Sequence, residues 1–65
     1  MSIKEYIAEL TARYGTVLLN KHQASAELQI SECQLDRLRK SGELRYTKVG
    51  SQIRIPVSAI ADFLV

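Results

Sequence analysis

The sequence predicts a mainly α-helical fold with one small β-hairpin, and three features of the chain carry that prediction. Apolar residues recur at helical spacing in its first and last segments and again through Leu35 and Leu38. Ser2, Asn20 and Ser31 are each followed three residues later by Glu5, Gln23 or Gln34, the spacing of a capping box, which marks three helix starts. After Arg45 the period drops from 3.6 residues to two, and the strands this implies stand either side of Gly50. At 65 residues the chain is expected to be a single domain over residues 1–65, with a small core and little room for a cleft.

Over residues 2–14, Ile3, Tyr6, Ile7, Leu10 and Tyr14 fall on one helical face, Ser2 caps the start and Gly15 allows a left-handed exit. That stripe enlarges the core; the rival use is a surface for self-association or another protein. Thr16 to Leu19 is a brief strand or extended entry. Asn20 then caps a second helix that runs through Ala24 and Leu28 and stops by Gln29, and Ser31 caps a third. Two helices joined by about three residues make a helix-turn-helix over residues 20–41, whose second member is free to enter a groove. At about 100° per residue, that helix turns Leu35 and Leu38 inward. Cys33, Asp36, Arg37 and Lys40 face outward, with Gln34 and Ser41 at the flank. Gly42 stops the helix and Leu44 returns to the core. A hairpin follows over residues 45–55, with Gly50-Ser51-Gln52 at its tip and Ile53-Arg54-Ile55 returning. Pro56 ends it, having no N–H to give a ladder. A last helix over residues 58–65 closes the core with Ile60, Phe63 and Leu64.

The net charge of +2 is unevenly distributed. Up to residue 44 the charges balance, and the surplus comes from Arg45, Lys48 and Arg54 against Asp62. Arg37, Arg39, Lys40, Arg45, Lys48 and Arg54 place six cations in eighteen residues beside the single Glu43, a density that favours phosphate over an ordinary solvated face. An arginine fork matches guanine O6 and N7, and a glutamine matches adenine N6 and N7. Arg37 is the leading base reader. Each neighbour has a plainer role as well. Gln34 serves its cap, Asp36 pairs with Lys40 four residues on, Cys33 is a small bystander, and His22 is an exposed helix residue able to add a phosphate contact.

Other classes fit poorly. One cysteine makes no internal disulfide, and the only histidine is eleven residues from it, so neither a metal site nor a cofactor is expected. Ser31, Cys33 and His22 have no triad spacing, and there is no glycine-rich phosphate cradle, so no enzyme is expected. Without a signal peptide or an apolar run near the roughly 20 residues of a membrane helix, a soluble cytoplasmic protein with no membrane partner is expected.

From about Val17 to Leu64, some three quarters of the chain, the sequence resembles the excisionase and MerR-like winged helix-turn-helix family of small DNA-binding domains. The resemblance is carried by Ile30-Ser31, the Leu35 and Leu38 pair, Ser41-Gly42-Glu43-Leu44, Lys48-Val49-Gly50, and Arg54-Ile55-Pro56 leading to Asp62-Phe63-Leu64. It implies a winged helix-turn-helix, here with an extra N-terminal helix, and double-stranded DNA as partner. It assigns Cys33, Gln34, Asp36 and Arg37, with Lys40 beside them, to the major groove, and Lys48, Ser51, Gln52 and Arg54 to the wing. The implied role is a phage or mobile-element excisionase, nucleoid-associated when bound, that binds and bends attachment-site DNA so that a tyrosine or other integrase excises. The alternative is a small phage repressor or activator; a protein-interaction module is the third reading. Copies bound side by side are expected to associate on DNA. Two departures stand out. Gln29 occupies a turn position that is usually glycine in the family, where a left-handed non-glycine costs about 1 kcal/mol, so a differently shaped turn is expected. Lys21 and His22 add positive character beside the helix-turn-helix.

Overall fold

Side-chain caps start the first three helices at the expected residues. The computed structural model describes residues 2–64; the last residue of the expected final helix, Val65, lies outside them. In chain order the elements are α1 (Ile3–Tyr14), β1 (Leu18–Leu19), α2 (Lys21–Leu28), α3 (Glu32–Ser41), β2 (Thr47–Val49), β3 (Gln52–Pro56) and α4 (Val57–Leu64). Ser2, Asn20 and Ser31 each accept the N–H three residues on. Gly15 and Gly42 close α1 and α3 in the left-handed region, at φ 71° and 86°. The fold class is the expected one, four helices around a small antiparallel sheet beside a helix-turn-helix.

The sheet is larger than the expected hairpin. Its order is β1-β3-β2, because Leu18 and Leu19 pair with Pro56 and Ile55. Pro56 does not simply end the hairpin; it is the last residue of a shared strand, and the next donor, the Val57 N–H, bonds the Val17 carbonyl at 2.9 Å. Arg45 and Tyr46 lie before the ladder, which runs from Thr47 opposite Arg54 to Val49 opposite Gln52. The tip is therefore the two residues Gly50 and Ser51. Gly50 at φ 66° supplies the positive φ that a two-residue turn matched to strand twist requires at its first position.

Leu10, Leu19, Ala24, Leu35, Leu44, Ile55, Val57, Ala59 and Ile60 form one core, so every element except β2 contributes. The expected inner face of α4 is corrected. Val57, Ala59, Ile60 and Ala61 are buried, whereas Phe63 and Leu64 are 39% and 52% exposed. The helix starts at once from β3, so its first turns meet α1 and β3 and its last turn runs past the core.

α1 is tied down twice. Leu10 is fully buried and Tyr6, Ile7 and Tyr14 pack on the core. The Glu27 carboxylate of α2 accepts the Tyr6 and Tyr14 hydroxyls and the Arg13 guanidinium, each at 2.8 Å. Burial pushes the Tyr6 phenol up to about 12, helped by its bond to Glu27. Burial also acts to raise the Glu27 carboxyl, but the two phenol bonds and Arg13 outweigh it and hold it below its ordinary value.

The Glu27 cluster makes stability pH-dependent on both sides. The lowered carboxyl contributes fully above its unfolded range and less as pH falls through the folded value; the raised Tyr6 phenol contributes below pH 10 and loses this as pH rises towards about 12. Glu27→Gln is expected to cost about 1–3 kcal/mol at neutral pH and to flatten the acid limb of a urea-denaturation pH profile. An unchanged profile would contradict the cluster's role.

Candidate nucleic-acid interface

The turn between α2 and α3 keeps the tight geometry despite its lack of glycine, which overturns the expectation of a different shape. Gln29 itself takes φ 58°. Two backbone bonds hold it there, Gln29 N–H to Ala26 O at 3.2 Å and Ile30 N–H to Ser25 O at 3.0 Å, and Ile30 packs against the core. Leu35 is buried and Leu38 half-buried, which fixes the rotation of α3 about its axis.

That rotation leaves Cys33, Gln34, Arg37 and Lys40 exposed along the outer side of α3. The cap does not engage the Gln34 side chain. Gln23 returns its Oε1 to the Asn20 N–H at 3.1 Å, a complete capping box, but at the start of α3 only Ser31 accepts, from the Gln34 N–H at 3.1 Å. The Gln34 amide is left on the outer surface.

Asp36 behaves differently from its expected neighbours. It forms no pair with Lys40. Its oxygens accept from Lys21 Nζ at 3.4 and 3.5 Å and from Arg39 at 3.2 and 3.3 Å. The start of α2 brings Lys21 beside it, and Arg39 is drawn to the same side, with its guanidinium 4.9 Å from the centre of the Tyr46 ring. Burial acts to raise the Asp36 carboxyl, but the bonds from Arg39 and Lys21 hold it below its ordinary value.

The cationic cluster is accordingly smaller than its sequence density. The Arg39 side chain is only 13% exposed, and Arg45 pairs with Asp62 at 2.7 Å. Lys21 and Arg13 also have carboxylate partners. Among the described residues, the cations without one are Lys4, on α1, and Arg37, Lys40, Lys48 and Arg54, on α3 and the hairpin. Arg54 is steadied without loss of charge, donating to the Gln52 side-chain oxygen and to the Ile53 carbonyl. Strand alternation puts Gln52 and Arg54 on one face of the hairpin and Lys48, opposite Ile53, on the other.

An open groove of about 420 Å³ separates the starts of α2 and α3 from the hairpin. It is lined by Asn20, Lys21, His22, Glu32 and Ser51 to Arg54. His22 Nδ1 lies 3.6 Å from Glu32, so its neighbour is an acid on α3. Sequence reasoning assigned Ser51, Gln52 and Arg54 to the wing and Asn20 to a cap, but it foresaw no groove between them and did not single out Glu32. It also missed the tie from Asp36 through Arg39 to Tyr46, whose one local signal was the three-residue spacing of Asp36 and Arg39.

A second helix locked by a tight turn, exposing uncompensated cations beside a hairpin, defines a small DNA-binding helix-turn-helix domain. A family model described as helix-turn-helix domain matches residues 18–64, and the chain belongs to that family. The match runs from β1 to α4 and leaves α1 outside. No curated protein and no solved structure matches the chain. Among the described residues, no helix is long and apolar enough to cross a membrane.

With base reading assigned to Arg37 and backbone anchoring to Arg54, Arg37→Ala is expected to relax sequence preference by about 1–3 kcal/mol at one base position, while Arg54→Ala weakens all duplexes alike. With about four phosphates neutralised, the plot of log affinity against log salt should have a slope of about −3 to −4, close to −0.9 for each phosphate. A salt-insensitive affinity, or equal behaviour of the two variants, would contradict the division between helix and wing. Gln29→Gly should stabilise the fold by about 0.5–1 kcal/mol in chemical denaturation, since glycine takes this φ without steric cost; a loss of stability would contradict the strain assigned to the turn.

Proposed function

We propose that this protein is a sequence-specific DNA-binding protein of the excisionase type. It binds and bends duplex DNA at phage or mobile-element attachment sites and turns an integrase towards excision. One observation carries the DNA part of this reading: among the described residues, folding pairs Arg13, Lys21, Arg39 and Arg45 with carboxylates and leaves Arg37, Lys40, Lys48 and Arg54, with Lys4 on α1, without one. Arg37 and Gln34 then face the major groove from α3, with Cys33 and Lys40 beside them. Lys48, Ser51, Gln52 and Arg54 follow the backbone or minor groove from the wing. Asp36 orients its neighbours.

The excision part is supported by the resemblance of residues 17–64. The helix-turn-helix and hairpin offer a reader and an anchor, and the action is architectural, with cutting and joining done by the integrase. A single module covers limited DNA, so copies on adjacent sites gain affinity by multivalency and form an assembly on the DNA. No cofactor takes part, and the protein works in the cytoplasm on nucleoid DNA.

Footprinting across an attachment region, coupled to an excision assay with the cognate integrase, tests this directly. Protection of repeated sites at one attachment end and excision that rises with added protein are expected. One protected operator over a promoter, with recombination unchanged, would overturn the excision role in favour of a transcriptional regulator.

A further inference from the structure

One flank of α3, between the exposed readers and the core, links the helix to the foot of the hairpin. Lys21 from α2, Asp36 and Arg39 from α3, and Tyr46 from the foot of the hairpin form one connected set. Among the described residues, no side-chain hydrogen bond or ion pair runs from α3 to β2 or β3, so the stack of Arg39 on Tyr46 is the polar link between helix and wing. Arginine suits the place. Its planar guanidinium stacks on a ring with one face while its edge donates to a carboxylate, and the Arg39 Nε and Nη2 both reach Asp36 Oδ1, at 3.3 and 3.2 Å.

We propose that Asp36, Arg39 and Tyr46, steadied by Lys21, are positioning residues that set the wing against the recognition helix, so that Arg37 and Arg54 meet one duplex together. The inference rests on the DNA-binding reading above. Two contacts on one ligand reinforce each other only when the spacing between them matches the spacing on the ligand. A wing that swings freely still meets phosphates, but it no longer helps α3 prefer one sequence over another. The carboxylate at Asp36 thereby serves sequence preference without touching a base. Tyr46 is 42% exposed, so its removal takes little from the core.

The probe is the duplex enriched from a randomised library by the wild-type protein, compared with a scrambled duplex of equal composition. Tyr46→Leu is expected to lower the preference between them by about tenfold, with affinity for the scrambled duplex changed less than about twofold and the melting temperature within a few degrees. Tyr46→Phe should restore wild-type preference, because stacking needs no hydroxyl. Arg39→Gln, which breaks the link from the other side and decides the matter if Tyr46→Leu does not fold, should show the same loss. The double variant should lose no more than either alone, as residues acting as one unit do. Three results would overturn the proposal: unchanged preference in both single variants, equal weakening on both duplexes, or losses that multiply in the double variant. Failure of the wild-type protein to enrich any duplex would instead overturn the DNA-reading assignment itself.

Discussion

A two-stranded ribbon of this length does not hold itself in water, so the wing depends on the strand that anchors it. β3 is that strand. Its outer half pairs with β2 to make the hairpin, and its inner half pairs with β1, where Leu19 lies opposite Ile55. Both of those side chains are fully buried. The residues just before the helix-turn-helix are thereby bonded to the base of the wing, and α4 leaves from the same strand end. Helix, turn and ribbon become one body because two apolar residues at β1 add a third strand.

On that body, folding sorts the charges. Among the described residues, Arg13, Lys21, Arg39 and Arg45 find carboxylates, and what they do there is structural: Arg13 helps bind α1 to α2 through Glu27, Arg45 joins the foot of the hairpin to α4 through Asp62, and Arg39 spans α3 and Tyr46. Among the described residues, the cations without a carboxylate partner lie mostly on α3 and the hairpin. An exposed ion pair contributes little to stability, but it removes a charge from the field that a polyanion meets. Internal pairing thus concentrates the DNA-directed charge on the two elements shaped to meet a duplex.

Much of this was legible in the sequence wherever the controlling contact is local. Ser2, Asn20 and Ser31 act on N–H groups three residues away, and Gly15, Gly42 and Gly50 answer to their own φ, so helix starts, stops and the hairpin tip followed from short spacings. The outward set on α3 followed from Leu35 and Leu38. What escaped is non-local. Leu18 opposite Pro56, and Glu27 with Tyr6 and Tyr14, join residues far apart in the chain, and no periodicity encodes such pairs. Asp36 went to Lys21 and Arg39 instead of Lys40 because α2 brings Lys21 to one flank of the helix, where Arg39, three residues on, joins it. Phe63 and Leu64 have the right spacing for a core face, but α4 outruns the core. At Gln29 the backbone bonds and the buried side of Ile30 outweighed a local cost.

The central claim is that α3 and the hairpin together form the DNA-facing surface while α1 belongs to the scaffold. Backbone amide shifts of ¹⁵N-labelled protein titrated with duplex DNA test it most directly. The account predicts that the largest changes fall on Cys33, Gln34, Arg37 and Lys40 and on Lys48 to Arg54, with Glu5 to Arg13 little moved. Changes centred on α1 and the outer end of α4, with α3 and the hairpin undisturbed, would contradict it.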